Sequence, residues 1–393
     1  MNRQLIITIG ILIILLVVGL WVYLLLFGAP KETSEVFTNL GVLPKGAQEL
    51  STIQDVPLGE SETKIALSGS TLQQLTTRAV ASFAFVPNDS DDLIRYVERG
   101  TGHVYEINLK SGIERQISLL TLPQTTEAVF SPNTNTIAFT SYQEGKKVTT
   151  VGTIPPPSEE TVLKTAELPE EASNIAFMND DTLYYTVEVN GQTVGYSFDI
   201  GDLSTSQLFT VDLTDITVFW GADLSKIYVQ TKPTAYLEGY LYTISKNVLT
   251  PVGEGGYGLT SFIQNDTVIS SYIDTNRYIS AWINKGDATK QTLLMLKEKC
   301  VFADEQNENT WCAAPLEIPK TNYLENWYKG TLTSKDYIWS INLTAQSSML
   351  IDDLTELSGK TIDVFNMKIN AKKTSLLFSN KIDQTLLLYR VQS

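Results

Sequence analysis

The sequence predicts an all-β fold: a seven-bladed β-propeller of four-stranded blades, preceded by one transmembrane helix. Between Ala79 and Ser393, a short apolar strand followed by a turn rich in Asn, Asp or Pro recurs seven times. Within each repeat, apolar and polar residues alternate, which indicates β-strands. Equivalent aromatic residues return every 40 to 47 residues, a period typical of propeller blades. These aromatic residues are Phe85, Phe130, Phe177, Phe219, Phe262 and Phe302.

An uncharged apolar run, residues 5–27, precedes the repeats. It is long enough to cross the hydrocarbon core of a bilayer, which is about 30 Å thick. Signal peptides have shorter apolar cores, so a retained membrane anchor over 1–28 is expected, although Gly28-Ala29 leaves cleavage open. Arg3 before the run places the amino terminus in the cytoplasm. We therefore expect a single-pass cell-membrane protein whose propeller is extracytoplasmic.

Residues 29–63 lack a sustained hydrophobic period and contain several Pro and Gly residues, so they are expected to form a linker. The propeller is then expected over 64–393. Its last repeat, from Asp363 to Val391, supplies three strands only. Residues 70–76 match the pattern of a fourth strand. Their pairing with the carboxyl-terminal strands would close the ring and remove an exposed sheet edge.

The composition disfavours several classes of function. The formal net charge is −15, and an acidic surface repels nucleic acid, so no nucleic-acid partner is expected. His103 is the single histidine, and no nucleophile, zinc-binding or phosphate-binding motif is present. Adjacent acidic residues fall in turns, where solvated side chains point apart. The sequence thus predicts no catalytic residue, no metal site and no cofactor.

The two cysteines, Cys300 and Cys312, fall on the first and second strands of the sixth repeat. Because an extracytoplasmic compartment is oxidising, a disulfide between them is expected. Two buried free thiols are the alternative.

One insertion interrupts the period of the repeats. After residues 310–315, the segment LEIPKTNYLENWYKGTLTSKDYIW separates the second and third strands of the sixth repeat. It is expected on the same face as the loop 232–239. Aromatic side chains on loops suit partner binding, so the predicted anchors are Tyr236, Tyr323, Trp327 and Tyr328. The alternative is that Trp327 and Tyr328 fold back onto the propeller.

Over residues 79–393 these repeats resemble the bacterial WD40-like or TolB-like β-propellers, although the Trp-Asp and Gly-His signatures of true WD40 repeats do not recur. The resemblance implies a protein-interaction platform more often than an enzyme, and it carries over no catalytic residue.

We therefore expect a membrane-tethered extracytoplasmic interaction or scaffold module of the cell envelope, which binds an envelope or surface protein. The alternative is a glycan-acting hydrolase or lyase with carboxylates in the central funnel. A purely structural envelope subunit would instead carry a large apolar patch.

Overall fold

The computed structural model describes residues 63–391 except 88–90, 119, 155–163, 222–223, 225, 265–266, 275–276, 285–286, 292, 305–307 and 318–321; for 164, 277–284 and 287–291 it describes the backbone only. All described residues belong to one structural unit, Glu60–Ser393.

The strands of the first half of the chain follow in order. Two short strands come first: β1 (Thr63–Lys64) and β2 (Leu72–Gln74). The first sheet contains β3 (Val80–Phe85), β4 (Leu93–Glu98), β5 (Val104–Asn108) and β6 (Ile113–Gln116). The second contains β7 (Thr125–Phe130), β8 (Thr136–Gln143), β9 (Lys146–Thr153) and β10 (Lys164–Glu167). The third contains β11 (Ser173–Phe177), β12 (Thr182–Val189), β13 (Gln192–Asp199) and β14 (Thr205–Val211).

The second half continues the same plan, with two short helices added. The fourth sheet contains β15 (Ile216–Phe219), β16 (Ile227–Thr231), β18 (Leu241–Ser245) and β19 (Val248–Pro251), while β17 (Glu238–Gly239) and β20 (Gly256–Tyr257) pair separately. The fifth contains β21 (Thr260–Gln264), β22 (Thr267–Asp274), β23 (Arg277–Asn284) and β24 (Asp287–Gln291). The sixth contains β25 (Cys300–Phe302), β26 (Asn309–Ala314), β27 (Tyr337–Asn342) and β28 (Ser347–Asp353). Helix α1 (Tyr323–Tyr328) precedes β27, and α2 (Leu354–Ser358) follows β28. The closing sheet contains β29 (Val364–Ile369), β30 (Ser375–Asn380) and β31 (Leu386–Arg390).

The sheets form a ring. Within each sheet, successive strands are antiparallel neighbours, and the first strands of the first four sheets contact one another in turn, as do those of the sixth and closing sheets. Apolar side chains fill the space between neighbouring sheets; for example, Phe209 packs with Val218 between the third and fourth. Phe83 of the first sheet shares a cluster with Leu377 and Leu388 of the closing sheet. The chain is therefore a β-propeller.

Hairpin turns occur where turn-forming residues interrupt the alternation of apolar and polar residues. Asn190 and Gly191 connect β12 to β13 with φ angles of 52° and 81°. Two successive positive φ angles match the right-handed twist of the flanking strands, and Asn-Gly is the pair that adopts them at least cost. Val189 and Gln192 consequently face each other at the end of the ladder.

The closing sheet takes its outer strand from the start of the described chain. Strand β2 pairs antiparallel with β31, so that Leu72 lies opposite Tyr389 and Gln74 opposite Leu387. Leu75, which is 3% exposed, continues into the cluster between the closing and first sheets. This is the pairing that the sequence predicts for residues 70–76.

The predicted set of seven four-stranded blades is wrong. The described residues form six four-stranded sheets, and the first sheet has five strands, because β1 adds to its outer edge. Thr63 lies opposite Glu114, and Lys64 opposite Ile113. A two-residue polar strand has no hydrophobic alternation, so the sequence pattern gave no sign of it.

The transmembrane part of the predicted fold class is not supported either. No helix among the residues described in the structure is long and apolar enough to cross a bilayer. The predicted helix, 5–27, and the linker up to residue 62 lie outside those residues. The fold class is therefore corrected to the all-β propeller.

The predicted disulfide is confirmed. Cys300 and Cys312 lie directly opposite each other on β25 and β26, with an S–S distance of 2.09 Å. Both are buried in the apolar cluster between the fifth and sixth sheets.

Candidate functional site

Antiparallel connectivity places two kinds of loop at the same end of the sheets: the loop between second and third strands, and the connection to the next sheet. We call this end the connection face. Four of its segments concern the site: 232–240 and 252–259 around the fourth sheet, 293–299 before the sixth, and 322–336 within the sixth. The insertion expected from the sequence does lie between β26 and β27.

Helix α1 lies against the propeller. Tyr323, Leu324 and Trp327 are at most 4% exposed and pack with Leu294 and Leu296 of the connection before the sixth sheet. Two of the predicted binding anchors, Tyr323 and Trp327, are therefore core residues and present no surface to a partner. The sequence left open whether Trp327 binds a partner or folds back onto the propeller. In the structure it folds back.

A buried ionic cluster, which we call the clasp, lies beneath α1. It consists of Lys299, Ser334, Asp336 and Asp363 with the indole of Trp327. The Lys299 ammonium donates to Asp336 and Asp363 at 2.6 and 2.7 Å, and the Trp327 Nε1–H donates to Asp363 at 3.0 Å. These polar groups satisfy one another, which a buried charge requires.

The charges of the clasp depend on one another. Burial alone would lower the pKa of Lys299, but the charge of Asp336, followed by other groups including Asp363, more than offsets it and raises that pKa. Burial raises the pKa of Asp336, and Lys299 opposes this. Sequence reasoning missed these residues. One feature of the sequence could have pointed to them: Lys299, Asp336 and Asp363 each come immediately before a strand.

The fourth sheet carries a different feature, the tyrosine ribbon. It consists of β17 and β20, where Glu238 pairs with Tyr257, together with their flanking residues. Its side chains face solvent: Tyr236 is 73% exposed, Leu237 70%, Tyr257 49% and Tyr240 37%. Tyr236, predicted from the sequence as an anchor, is thus accessible.

Between the fourth sheet and α1 lies a cleft of about 460 Å³. The strands and loops of the fourth and fifth sheets supply Thr217, Phe219, Gln230, Lys232, Pro233, Thr234 and Thr260. The sixth-sheet connection and α1 supply Lys297, Glu298, Glu325, Tyr328 and Lys329. The predicted anchor Tyr328 is therefore on the wall of this cleft, and it is 40% exposed.

The hydroxyl of Tyr328 is fixed by a carboxylate. It donates to Glu298 at 3.1 and 3.2 Å from the two carboxylate oxygens. Burial, and then the charge of Glu298, raises the pKa of Tyr328 well above its ordinary value. The hydrogen bonds of this hydroxyl join α1 to the connection before the sixth sheet.

Within the described part of the chain, no three His, Cys, Asp or Glu side chains are grouped so that they could hold a metal ion. The single histidine, His103, is on the first sheet, where its Nε2 lies 2.9 Å from the Thr121 hydroxyl.

Neither a protein-family model nor a curated protein matches this sequence. Solved structures do share the fold. An oligogalacturonate lyase from Vibrio parahaemolyticus is 11% identical, with 86% of this chain and 98% of the lyase covered at a TM-score of 0.57. The propeller domain of the trilobed protease from Pyrococcus furiosus is 10% identical (76% and 91% covered, TM-score 0.47). TolB from Acinetobacter baumannii is 12% identical (68% and 65% covered, TM-score 0.42). At such identities the likeness concerns the fold alone, and the chain is a β-propeller.

Proposed function

We propose that this protein is an extracytoplasmic binding module that recognises a protein of the cell envelope or cell surface through the tyrosine ribbon. The observation that carries the proposal is the exposure of Tyr236, Leu237, Tyr240 and Tyr257 on one short ribbon. Tyrosine side chains bury a large area at a small cost in conformational entropy, and they are enriched among the residues that dominate interface energies.

Charges on the ribbon indicate the chemistry of the partner. Glu238 and Glu254 are exposed there, and neither has an ion-pair partner in the described part of the chain. Tyr240 donates a hydrogen bond to Glu238 at 2.7 Å, which orients that carboxylate. With a net charge of −15 on the whole chain, a partner with an apolar centre and a basic rim is the complementary one.

The disulfide supports the proposed compartment. Structural disulfides form and persist in oxidising environments and are rare in the cytosol. The Cys300–Cys312 bond is buried, so it belongs to the fold and not to an exposed exchange site.

The test is site-specific photo-crosslinking in the native cell, with the crosslinking residue at position 237. Position 248 is the matched control, because Val248 is 61% exposed but lies beyond the other end of β18. We expect a defined protein adduct from position 237 only, reduced at least about tenfold by Tyr236→Ala, since interface aromatics contribute about 2 kcal/mol or more. Equal adducts from both positions, or none from position 237, would reject the proposal.

A glycan-acting enzyme is the second candidate function. Glu298 and Glu325 line the cleft between the fourth sheet and α1. Glycosidases use a pair of carboxylates that flank the bond to be cleaved. The test is turnover of neutral and acidic oligosaccharides, followed by mass spectrometry. Cleavage lost in Glu298→Gln would support this candidate, and no cleavage by the natural chain would reject it.

A further inference from the structure

The ammonium group of Lys297 lines the cleft, and its N–H donors are unused. It lies 5.3 Å from the centre of the Phe219 ring, an attraction that helps to hold it in place. Its nearest carboxylate oxygen, on Glu298, is 3.8 Å away, which is too far for a hydrogen bond. None of its three donors therefore has an acceptor among the described residues. The group is able to bind an anionic oxygen that enters from solvent.

Two further lysines line the same cleft: Lys232 in the loop of the fourth sheet and Lys329 at the end of α1. Each pairs with one carboxylate, Lys232 with Asp215 at 2.6 Å and Lys329 with Glu325 at 2.7 Å. Exposed pairs of this kind contribute little, and an ammonium that donates to one carboxylate has two donors left. Both lysines can therefore attract an anion in the cleft.

The two carboxylates of the lining present few oxygens to a ligand. Both oxygens of Glu298 accept from the Tyr328 hydroxyl, and this glutamate side chain is only 9% exposed. In Glu325, Oε1 accepts from Lys329 and Oε2 is buried. An entering molecule consequently meets ammonium groups rather than carboxylate oxygens, although the whole chain carries a net charge of −15.

The size of the cleft and the net charge restrict the ligand. The volume, about 460 Å³, falls in the range of small-molecule sites, roughly 300–1,000 Å³. A polyanion would be repelled by the acidic surface around the cleft, so a ligand with one negative charge is favoured. Pro233 and the ring of Tyr328, a residue that is 40% exposed, add apolar surface to the lining. The ligand should therefore combine one acidic group with an apolar body.

We propose that the cleft is a binding site for a small organic anion, whose carboxylate or phosphate oxygens accept hydrogen bonds from Lys297. Its apolar body contacts Pro233 and Tyr328, and Lys232 and Lys329 add electrostatic attraction. The site is separate from the protein-binding surface, because no residue of the tyrosine ribbon lines the cleft. Binding requires no bond cleavage.

The test is saturation-transfer NMR with the full chain. Two pairs of probes match a carboxylate with a neutral amide of equal size: benzoate with benzamide, and hexanoate with hexanamide. Methyl phenyl phosphate, a singly charged phosphodiester, distinguishes a phosphate site from a carboxylate site. We expect at least one of the three anions to bind, and its affinity to fall as salt is added. A carboxylate that binds should do so at least about tenfold more tightly than its amide, because the amide lacks charge-assisted hydrogen bonds.

Lys297→Met keeps the aliphatic chain but removes the ammonium group, so the affinity for the bound anion should fall about tenfold. Lys329→Met should lower it about threefold, as expected for a more exposed charge. Lys146→Met is the matched control, because Lys146 is similarly exposed and pairs with Glu170 outside the cleft. It should bind the anion as the natural chain does, as should Tyr236→Ala.

Melting temperatures identify any variant that fails to fold, and Lys329→Met carries the test if Lys297→Met does. Binding of the phosphodiester alone would support the site and assign it to phosphate esters. The proposal is overturned if no anion binds, if an amide binds as tightly as its carboxylate, or if the folded lysine variant that carries the test binds the anion unchanged.

Discussion

Two aromatic segments of the connection face have opposite environments. In α1, Trp327 is fully buried over the clasp, whereas in the tyrosine ribbon Tyr236 is 73% exposed. The difference lies in what is beneath each segment. Asp363 accepts the Trp327 indole N–H, so that ring can be buried without leaving a donor unsatisfied. Aromatic residues on a loop therefore indicate binding only where no buried polar partner holds them.

The two segments are expected to have different roles, one in stability and the other in binding. The clasp connects residues from three connections, since Lys299, Asp336 and Asp363 precede β25, β27 and β29. It should govern stability. The ribbon contributes few buried side chains and should govern binding. Four variants test that division, beginning with the largest expected effect.

Replacing Lys299 with Met should lower the free energy of unfolding by about 3–5 kcal/mol, because two buried carboxylates lose their cation. Burial already raises the pKa of Asp336, and loss of Lys299 removes an interaction that lowers it. A carboxyl group whose pKa is raised on folding stabilises at low pH, and this contribution is lost as the pH rises through its folded-state pKa.

The deficit of Lys299→Met, measured by urea unfolding, should therefore be smaller near pH 4 than at pH 7. Lys146→Met is the control, because Lys146 pairs with Glu170 on the exposed surface and should cost under about 1 kcal/mol. A pH-independent deficit of the same size as the control would show that the clasp does not hold this part of the fold.

Replacing both Cys300 and Cys312 with Ala should cost about 3 kcal/mol, because the closed loop no longer restricts the unfolded chain. Cys300 is next to Lys299 on the clasp side of the molecule. Guanidinium unfolding measures the loss. Crosslinking from position 237 should be unaffected at a temperature where the variant is folded. Loss of the adduct under those conditions would show that binding by the tyrosine ribbon depends on the clasp side of the molecule, which would contradict the separate roles.

Trp327→Phe removes the indole hydrogen bond and keeps an aromatic ring at the same position. The variant should lose about 2 kcal/mol, because a charged acceptor, Asp363, loses a donor. Trp339→Phe is the matched control: its indole donates to the neutral Ala314 carbonyl at 3.2 Å, so about 1 kcal/mol is expected. If thermal unfolding shows the same loss of stability in both variants, the charge of Asp363 does not strengthen the hydrogen bond.

Tyr257→Ala should have the smallest effect on stability, under about 0.5 kcal/mol, because its ring is 49% exposed. The same change should weaken the adduct formed from position 237. Val248→Ala, at a similarly exposed position, should change neither quantity. A melting-temperature drop as large as that of Trp327→Phe would mean that the ribbon is structural too, and the contrast with α1 would disappear.

Much of the architecture was predictable because strand alternation and turn residues act locally. The repeats, the Asn190-Gly191 hairpin and the place of the insertion could be read in this way. So could the disulfide, since Cys300 and Cys312 fall on paired strands. Strand β1 could not, because its two residues are polar and exposed and depend on the edge offered by β6.

The site was less predictable, for a physical reason. Whether Trp327 is buried depends on Asp363, which lies 36 residues away in sequence, and Lys299 is 64 residues from the same carboxylate. Such pairings are set by the ring geometry, not by local pattern. Tyr236 was correctly placed on an exposed loop, whereas Lys297 carried no sequence signal of its place in the cleft.

The pairing of β2 with β31 has a consequence for biosynthesis. Thr76 accepts a hydrogen bond from the backbone of Leu386, 310 residues later in the chain. At about 5–20 residues per second, roughly 15–60 s separate the synthesis of these two partners. Throughout that time, Leu72 and Leu75 have no native cover, and the ring cannot close. Nascent and truncated chains thus present an apolar flap that the finished molecule hides, which would let chaperones and proteases distinguish incomplete chains from complete ones.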